Sequence, residues 1–486
     1  MRAVPPSVAR VLDGVLAADP GREALVTRSG RLTYADLDRL ADRAARALRD
    51  LGVRTGDRVA ASLPNDTDVV VAFHGAMRRG AVWVGVNRAL APPEKAYLLA
   101  DCGATLLLHD DEDPDDPGDL GVRVVGTGEW RSAVDAAADG PVGVDVDPLA
   151  PAGIAYTSGT TGHPKGAVHS QHNLLTPGAV LVESRGYGPD LRKGDCFPFT
   201  ILNMAVLTTL LVSQAGGCSI VMDRIDAAGV TEWIRRERVT IWNGPPALLH
   251  DLATRDEIAA SDMASLTEVW TGGADCPEVI RERFAAKFGV PVTATYGLSE
   301  APTVVAIDPP DGGHVAGASG RPLPHLGVRV VDGEVCVGQA PGDGRYRTML
   351  GYWGRPEASA GALAGGVLHT GDLGELGEDG YLRIWDRKSL LILRGGANVY
   401  PAEVERVLLE APGVAACAVL GVPDERLGER VVAVVEADGP LDEEAVRRHC
   451  LAQLARYKVP ERFVAVAALP RNAMGKVIRA ELPGLI

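Results

Sequence analysis

The sequence predicts an α/β fold in which a large N-terminal domain of parallel-rich sheets flanked by helices precedes a small C-terminal α+β domain. Short apolar runs typical of buried strands alternate with helical segments along most of the chain, which favours parallel sheets covered by helices. With 486 residues, the chain can bury several cores without disulfides or metals. The pattern changes near residue 386, so we place the two domains at residues 1–386 and 387–486.

Within the N-terminal domain, the segment Tyr34–Asp50 is predicted to be a helix. Thr33 precedes it as an N-cap residue, and apolar residues recur along one face. The strands that alternate with helices are shorter apolar runs. They are predicted at Arg58–Leu63, Ala81–Val86, Thr105–His109, Ser219–Met222 and Val239–Asn243.

The stretch from Phe197 to Met222 contains no charged residue and is long enough to cross a bilayer. Polar residues interrupt it and Gly216-Gly217 divides it, so we interpret it as a core helix followed by a buried strand, Cys218–Met222. The N-terminus lacks the apolar core and cleavage site of a secretory signal. We therefore expect no membrane span and a cytoplasmic protein.

The C-terminal domain is predicted to be a compact unit of about 100 residues, a usual size for a domain. Helical and strand-like segments alternate within it. We expect helices at Glu403–Glu410 and Asp442–Arg456, and strands at Ala415–Gly421 and Val431–Glu436.

Composition narrows the class of protein. The formal net charge of −15 argues against a general nucleic-acid binder, which normally carries a basic face. The cysteines are dispersed and form no C-x-x-C pair, so we expect reduced, buried thiols in a cytosolic protein, of bacterial origin to judge by the alanine, arginine and glycine content. They are Cys102, Cys196, Cys218, Cys276, Cys336, Cys417 and Cys450.

A run rich in glycine, serine and threonine follows the predicted strand end at Tyr156. Glycines let backbone N–H groups turn toward one point, and hydroxyls and a lysine add donors and charge, so such a run suits a polyphosphate. It is not a Walker A loop, because Lys165 follows Pro164 and precedes Gly166. A flexible surface loop is the alternative explanation. The candidate phosphate-binding residues are Ser158, Gly159, Thr160, Thr161, Gly162 and Lys165.

Further motifs follow this loop along the chain. They are Gly272-Gly273-Ala274, Tyr296-Gly297-Leu298-Ser299-Glu300, Thr370-Gly371-Asp372, Asp386-Arg387-Lys388 and Pro470-Arg471-Asn472 with Gly475-Lys476 behind it. Together with the loop, and in this order, they resemble the motifs of the adenylate-forming superfamily. That superfamily includes acyl-CoA synthetases, adenylation domains that serve carrier proteins, and beetle luciferases.

The resemblance spans nearly the whole chain and implies an activity. It implies that ATP activates an apolar carboxylic acid to an acyl-adenylate with release of pyrophosphate, and that the acyl group then passes to the thiol of CoA. The expected cofactors are ATP, Mg²⁺ and CoA, and the expected architecture is a large N-terminal part with a small mobile lid. A homodimer is one option for its assembly.

By the same resemblance, individual residues receive roles. Glu300 would bind Mg²⁺, Ser299 would approach the α-phosphate, and Lys476 would reach the substrate carboxylate and α-phosphate as the catalytic lysine. Thr157 would join the loop residues around the β- and γ-phosphates. The adenine and ribose would be held by Gly272, Gly273, Ala274, Tyr296, Asp372 and Arg387.

The acyl pocket is implied by position and is apolar. Pro198–Leu202 contains neither the aspartate of amino-acid-activating relatives nor the histidine of many acyl-CoA synthetases. Because burying an unpaired charge is costly, we expect a bulky or medium-length acid without a second charge. The candidate lining residues are Phe199, Thr200, Ile201, Trp242, Gly273 and Ala301.

The predicted hinge departs from the family pattern. Ser389 and Leu390 stand where relatives carry charged residues, and Arg394 stands beside Gly395-Gly396, where a CoA site is implied. Serine can absorb the rotation of a moving lid, but Leu390 could alter lid docking in the second half-reaction. Arg394 could bind a CoA phosphate or obstruct pantetheine.

Four functions follow, in order of preference. The first is an acid–thiol ligase that uses CoA. The second is an adenylating enzyme with weak or no CoA transfer, whose acyl-adenylate passes to a partner enzyme or to a carrier-protein pantetheine. The third is a luciferase-like oxygenase. The fourth is a nucleotide-binding protein without catalysis, against which the presence of Lys165, Glu300 and Lys476 argues.

Overall fold

A computed structural model describes most of the chain. The described residues are 5–112, 121–157, 164–272, 276–311, 313–387, 390–394, 397–424, 427–437, 439–454, 456–472 and 475–486. By internal packing the chain divides into two compact units. The first comprises Met1–Val328 and Val337–His369, and the second comprises Arg329–Cys336 and Thr370–Ile486.

The strands are short and distributed along the whole chain. They are β1 Glu23–Thr27, β2 Gly30–Thr33, β3 Arg58–Ser62, β4 Val82–Gly85, β5 Leu106–His109, β6 Arg123–Gly126, β7 Pro151–Thr157, β8 Lys165–Ser170, β9 Arg192–Asp195, β10 Cys218–Val221, β11 Ile241–Asn243, β12 Glu268–Gly272, β13 Val292–Leu298, β14 Thr303–Ile307, β15 Arg321–Pro322, β16 Leu326–Val331, β17 Glu334–Gln339, β18 Gly351–Tyr352, β19 Leu368–Leu376, β20 Leu382–Arg387, β21 Ile392–Arg394, β22 Ala397–Val399, β23 Val414–Asp424, β24 Gly428–Ala437 and β25 Arg462–Val466.

Helices alternate with these strands. They are α1 Asp13–Ala18, α2 Tyr34–Asp50, α3 Thr67–Arg79, α4 Pro92–Cys102, α5 Thr127–Ala136, α6 Gln171–Arg185, α7 Leu202–Met204, α8 Leu211–Ala215, α9 Ala227–Glu237, α10 Pro246–Thr254, α11 Glu278–Phe288, α12 Pro356–Ala362, α13 Pro401–Leu409 and α14 Glu443–Gln453. A π-helical turn, Ala205–Leu210, joins α7 to α8.

Two large sheets organise the first unit, and each is parallel in its centre. One has the strand order β15-β14-β13-β12-β11-β9-β10-β1-β2, and the other has the order β18-β8-β7-β4-β3-β5-β6. The outer pairs β13–β14, β7–β8 and β18–β8 are antiparallel. Central parallel strands with antiparallel edges agree with the predicted parallel-rich sheets flanked by helices.

Three large apolar cores and a smaller one around Val84 and Leu107 fill the first unit. The first core joins α2 and α3 to the second of these sheets, with Phe73 edge-on to Trp83 at 5.6 Å between ring centroids. The second core lies between the first sheet and α9, α10 and α11, around Trp242 and Phe284. The third core packs α6 and α8 against the opposite face of that sheet, where Trp270 is buried.

Helix α2 has the predicted bounds, and its start is encoded locally. The Thr33 side chain accepts a hydrogen bond from the Asp36 amide at 3.1 Å, and Asp36 accepts one from the Thr33 amide at 3.2 Å. This reciprocal capping box satisfies two of the amide groups that a helix start leaves without partners.

The uncharged stretch also matches its interpretation. The helical run that starts at Leu202 ends at Ala215, Gly216 follows in a left-handed conformation with φ +76°, and β10 is buried throughout. Among the described residues, no helix combines the length and the apolar character needed to cross a bilayer. The seven cysteines are free thiols, and only Cys417 is not fully buried.

One strand begins later than predicted for a visible reason. β11 starts at Ile241 rather than Val239, because the Val239 amide donates to the carbonyl of Ile234 at 3.2 Å and so closes the end of α9. Arg238 between them adopts a left-handed conformation with φ +51°. The last residues before the strand therefore belong to the helix cap.

The second unit contains a sheet of order β22-β21-β24-β23, with β25 parallel to β24, and the helices α13 and α14. This arrangement matches the predicted C-terminal α+β domain. Asp442 is the N-cap of α14 rather than its first residue, since its carboxylate accepts the Ala445 amide at 3.0 Å.

The unit boundary differs from the predicted division after residue 386. Thr370–Asp386 and Arg329–Cys336 pack with the C-terminal residues. The reason is local bonding within that unit: β19 pairs with β20 so that Asp372 lies opposite Arg387, and the Thr370 hydroxyl donates to the carbonyl of Val335 at 2.7 Å.

Candidate functional site

The predicted phosphate loop joins two paired strands. β7 and β8 are antiparallel, with Thr157 opposite Lys165, and the Thr157 hydroxyl donates to the Lys165 carbonyl at 3.4 Å. The candidate residues between these strands lie outside the described residues, so the structure describes only the stem of the loop. They are Ser158, Gly159, Thr160, Thr161 and Gly162.

Helix α4 holds this stem from both ends. The Tyr97 hydroxyl donates to the carbonyl of Pro164 at 3.0 Å, and the Tyr156 hydroxyl donates to Asp101 at 2.7 Å. Arg355 forms an ion pair with the same carboxylate at 2.6 Å. The two ends of the loop are therefore fixed to one helix.

Lys165 and Glu300 are linked through a tyrosine that the sequence analysis did not single out. The Lys165 ammonium lies 4.7 Å from the centroid of the Tyr352 ring, a distance at which a cation is attracted to the ring face. The Tyr352 hydroxyl donates to Oε1 of Glu300 at 2.9 Å. Among the described residues, no lysine, arginine or histidine forms an ion pair with Glu300.

The turn that presents Ser299 and Glu300 lies between β13 and β14, and β13 needs glycine shortly before this turn. The pairing of these strands shifts register between Tyr296 and Gly297. A Cβ atom at Gly297 would lie 1.7 Å from the carbonyl oxygen of Thr303. Thr303 itself has φ +80°, which is rare for a β-branched residue. This close approach explains why glycine follows the tyrosine of the motif.

A second contact holds the same turn. Nε2 of His169, on β8, donates to the carbonyl oxygen of Ser299 at 2.6 Å. His169 is fully buried, and this burial lowers its pKa to about 4. The imidazole is therefore neutral near pH 7, with its proton on Nε2, because a carbonyl can only accept.

The ribose motif forms a separate group in the second unit. The buried carboxylate of Asp372 pairs with Nε of Arg387 at 2.9 Å. Gly371 has φ +73°, and its amide donates to Glu334 at 2.9 Å. The Arg387 guanidinium is about half exposed, so solvent reaches this ion pair from the arginine side.

Lys476 is electrostatically coupled to this pair within the same unit. Its pKa is lowered by desolvation and by the positive charges of Arg387 and Arg479, while the Asp372 carboxylate opposes the shift. Part of the residue nevertheless remains exposed. The backbone amide of Lys476 donates to the Asn472 side chain at 3.0 Å, which fixes the backbone at the predicted catalytic lysine.

The adenine-binding candidates are only partly described. Gly272 is exposed at the end of β12, and a Cβ there would lie 2.1 Å from the Thr295 hydroxyl. Tyr296 follows on the neighbouring strand β13 and is half-buried. Gly273 and Ala274 lie outside the described residues.

The acyl-pocket candidates belong to three different cores. Phe199 packs in the first core, Trp242 in the second and Ala301 in the third. Thr200 is buried and its carbonyl accepts from the Trp83 indole at 3.4 Å, while Ile201 is half-buried. The structure does not bring these side chains into one cluster, and Gly273 is not described.

The hinge and CoA candidates are also partly described. Arg394, on β21, is already paired with Glu461 on both its Nε and Nη2 atoms. A CoA phosphate would therefore compete with a carboxylate for this guanidinium. Leu390 is half-buried, and Ser389, Gly395 and Gly396 lie outside the described residues.

Tyr352 and His169 were missed because their contacts cross long stretches of sequence. Tyr352 reaches Glu300 across 52 residues, and His169 reaches Ser299 across 130. A signal was present: His169 follows Lys165 by four residues, and Tyr352 lies between two glycines with positive φ. Both are polar side chains close to turns that the site requires.

The donors present fit the groups that the motifs imply. Glu300 is a half-buried carboxylate bonded by a phenol and by no described cation, which suits a hard divalent cation. Lys165 sits at the end of the loop stem, where a polyphosphate needs positive charge. The Asp372–Arg387 pair offers an acceptor and a donor, the combination that sugar hydroxyls require.

Comparison with known proteins supports the nucleotide site that the motifs imply. The family model described as AMP-binding enzyme matches residues 12–353, and the model described as AMP-binding enzyme C-terminal domain matches residues 403–476. The chain is 35% identical over 478 residues to the long-chain-fatty-acid–CoA ligase FadD13 of Mycobacterium tuberculosis, covering 93% of this chain and 92% of that one.

A second relative and a solved structure extend this. The chain is 36% identical over 465 residues to a feruloyl-CoA synthase of an Amycolatopsis species, covering 93% of each chain. It superposes on the crystal structure of ATP-bound MatB from Rhodopseudomonas palustris with a TM-score of 0.89 and 29% identity, covering 98% of each chain.

Proposed function

We propose that this chain, which belongs to the family of AMP-binding enzymes, is an AMP-forming acid–thiol ligase that activates an apolar carboxylic acid and passes the acyl group to CoA. The observation that supports the proposal is the linked set Lys165–Tyr352–Glu300, in which one side chain contacts both a cation and the carboxylate that we assign to the metal. ATP and CoA are its co-substrates and Mg²⁺ its metal.

The chemistry explains why these residue types are needed. A carboxylate is a poor acyl donor, because its leaving group would be an oxide. Attack of a carboxylate oxygen on the α-phosphate of ATP forms the acyl-adenylate and releases pyrophosphate. The thiolate of CoA then attacks the acyl carbon and releases AMP. Mg²⁺ held by Glu300 would supply positive charge against the phosphates in the first step.

The residues are assigned according to their chemistry. We assign Lys165 and the loop to the β- and γ-phosphates, Glu300 to the metal and the Ser299 hydroxyl to the α-phosphate. In the second unit, Asp372 accepts and Arg387 donates to ribose hydroxyls. Lys476 donates to the oxygens on which negative charge develops as the carboxylate attacks.

The substrate class follows from the apolar surroundings and from the relatives. Phe199, Trp242 and Ala301 lie in apolar cores, and no charged residue occurs in Pro198–Leu202. The names of the two relatives describe a long-chain fatty acid and ferulic acid as substrates. We therefore propose a fatty or aromatic acid with a single carboxylate.

The acceptor is the point at which a second candidate function has support. Arg394 is occupied by Glu461, so the guanidinium beside the implied CoA site is not available without breaking an ion pair. An enzyme with weak CoA transfer would pass its acyl-adenylate to a partner or carrier-protein pantetheine. For the assembly of this protein we propose a homodimer.

The test is pyrophosphate release across a panel of acids, with and without CoA. Fatty and hydroxycinnamic acids should support release, and CoA should convert the bound adenylate to a thioester. Activity confined to amino acids or dicarboxylates would contradict the substrate class. Pyrophosphate release without thioester would favour the second candidate, and oxygen uptake or light emission would favour an oxygenase.

The role of the lysine has its own test. Lys476→Ala should lower the adenylation rate about 10²- to 10³-fold, because one donor to developing charge is lost, while ATP binding persists. Arg448→Ala removes an exposed charge from α14 and serves as the control. Unchanged turnover in Lys476→Ala would remove the lysine from the mechanism.

A further inference from the structure

We propose that Tyr352 is a positioning residue that orients the Glu300 carboxylate for Mg²⁺, and that it does so through its hydroxyl rather than its ring. The inference rests on the proposed function, since it takes Glu300 as the metal ligand. Tyr352 does not touch the reacting atoms in this assignment. It acts by fixing one carboxylate oxygen, so that the other can face the metal.

The hydroxyl is well placed for this task. It donates to Oε1 of Glu300 at 2.9 Å, which leaves Oε2 for a cation. A phenol neutralises no charge on the carboxylate, whereas a lysine or arginine at this position would compete with the metal. A neutral donor therefore orients the ligand and preserves its full negative charge.

The backbone around Tyr352 is fixed on both sides. Tyr352 lies opposite Ala167 in the β18–β8 pair, and the Trp353 amide donates to the Gly166 carbonyl at 2.8 Å. The Tyr352 amide donates to the Ser359 hydroxyl at 2.8 Å. These bonds fix the Tyr352 backbone to β8, the strand that begins at Lys165. The Tyr352 hydroxyl therefore connects Glu300, the proposed metal ligand, to the stem of the phosphate loop.

The ring and the hydroxyl can be separated by substitution. Tyr352→Phe keeps the ring beneath the Lys165 ammonium and removes the hydroxyl that donates to Glu300. Tyr352→Leu removes both. If the hydroxyl is the positioning group, the phenylalanine variant should affect the metal selectively, and the leucine variant should additionally weaken binding of the nucleotide.

The first measurement is binding of Mn²⁺ with ATP to the full-length protein, followed by electron paramagnetic resonance, which requires no turnover. Tyr352→Phe should weaken Mn²⁺ binding about tenfold, the usual worth of one hydrogen bond to a carboxylate. Adenylation by the same variant should need about tenfold more Mg²⁺ for its half-maximal rate and recover at saturating metal. Tyr457→Phe, at an exposed tyrosine, is the matched control.

A double-mutant cycle distinguishes orientation from general damage. In a Glu300→Gln background, Tyr352→Phe should cause no further loss of Mn²⁺ binding, because the group that it orients is gone. Losses that add in the double variant would overturn the inference, as would metal binding by Tyr352→Phe equal to that of the wild type.

Failure of the inference can be told apart from failure of the proposed function. Wild-type protein that binds Mn²⁺ with ATP but releases no pyrophosphate with any acid would refute the ligase. Normal ligase activity together with metal binding insensitive to Glu300→Gln would refute the role of Glu300, and the positioning role of Tyr352 with it.

Discussion

The two carboxylates assigned to the nucleotide are held in opposite ways. Glu300, in the first unit, is half-buried, accepts a bond from a neutral phenol and has no ion-pair partner among the described residues. Asp372, in the second unit, is buried and is paired with the Arg387 guanidinium at 2.9 Å. One acid keeps its charge available, and the other has already been neutralised.

This difference matches the groups that we assign to the two acids, a metal ion for Glu300 and ribose hydroxyls for Asp372. A divalent cation requires full negative charge on an oxygen ligand, so a permanent cation beside Glu300 would reduce its affinity for the metal. Neutral sugar hydroxyls require only an acceptor, and a buried carboxylate is stable only when it is paired. The environment, rather than the residue type, therefore separates a metal ligand from a hydroxyl acceptor.

The largest effect is expected from removing the available charge. Glu300→Gln should lower the adenylation rate about 10²- to 10³-fold, because the metal loses its carboxylate ligand. The free energy of unfolding should change by less than about 0.5 kcal/mol, since no ion pair is broken. Steady-state pyrophosphate release and urea unfolding measure the two quantities, with Glu282→Gln, an exposed acid on α11, as control. A stability loss that matches the activity loss would contradict the contrast.

Removing the paired carboxylate, Asp372, should lower stability more and activity less than removing Glu300. Asp372→Asn leaves the Arg387 guanidinium without its carboxylate and should destabilise the fold by about 1–2 kcal/mol, with about a tenfold rise in the KM for ATP. Urea unfolding and initial rates measure both. Asp379→Asn weakens a more exposed pair with Arg383 and should lower stability less than Asp372→Asn, without changing the KM for ATP. Equal stability losses in the two variants would show that burial of Asp372 does not matter.

The charge on Arg387 also acts on Lys476, and this gives a prediction in pH. Arg387 disfavours the charged ammonium and lowers the pKa of Lys476, so Arg387→Gln should raise that pKa. The protonated lysine would then persist to higher pH. The alkaline limb of the kcat profile for adenylation should therefore move to higher pH, whereas Arg448→Gln should leave it in place. A limb that moves to lower pH would exclude protonated Lys476 as the donor.

A third arrangement extends the comparison of Glu300 with Asp372: here two carboxylates share one titratable cation, a histidine. Its removal should have the smallest effect on stability. His314 lies 2.9 Å from both Asp308 and Glu278, and these bonds raise its pKa although burial and Arg281 oppose them. Because the folded pKa is raised above about 6.5, the stabilisation is complete below that pH and is lost as pH rises through the folded value.

The measurement is urea unfolding of the wild type and His314→Gln at pH 6 and pH 9. The difference in the free energy of unfolding should stay below about 1 kcal/mol and should shrink toward pH 9. His250→Gln, at an exposed histidine beside Asp251, should show no such trend. A difference that grows with pH would mean that the neutral imidazole is the stabilising form.

The parts of the fold that the sequence predicts well are those with local signals. The start of α2 follows from the capping of its first turn by Thr33 and Asp36, and the end of α8 follows from a glycine that adopts a left-handed conformation. The family and its activity follow from motifs that keep their order along the chain. The two helix signals lie within a few residues of the feature that they predict, and each family motif is itself a short segment.

What the sequence does not reveal depends on long-range pairing and on strand faces. The contact of Tyr352 with Glu300 exists only because β18 pairs with β8. Ile241 and Trp242 are adjacent in β11, yet alternation sends them to different cores, so an apolar run alone did not show which side chain faces which layer. Neither property can be read without the register of the sheets.

The close approach at Gly297 also sets a limit on engineering. Any side chain at this position would meet the carbonyl of Thr303, on the strand that follows the turn carrying Ser299 and Glu300. A combinatorial library that diversifies Ala301 for new acyl substrates should therefore keep position 297 as glycine. Otherwise, most of its members would fail through a backbone collision before their altered specificity was ever sampled.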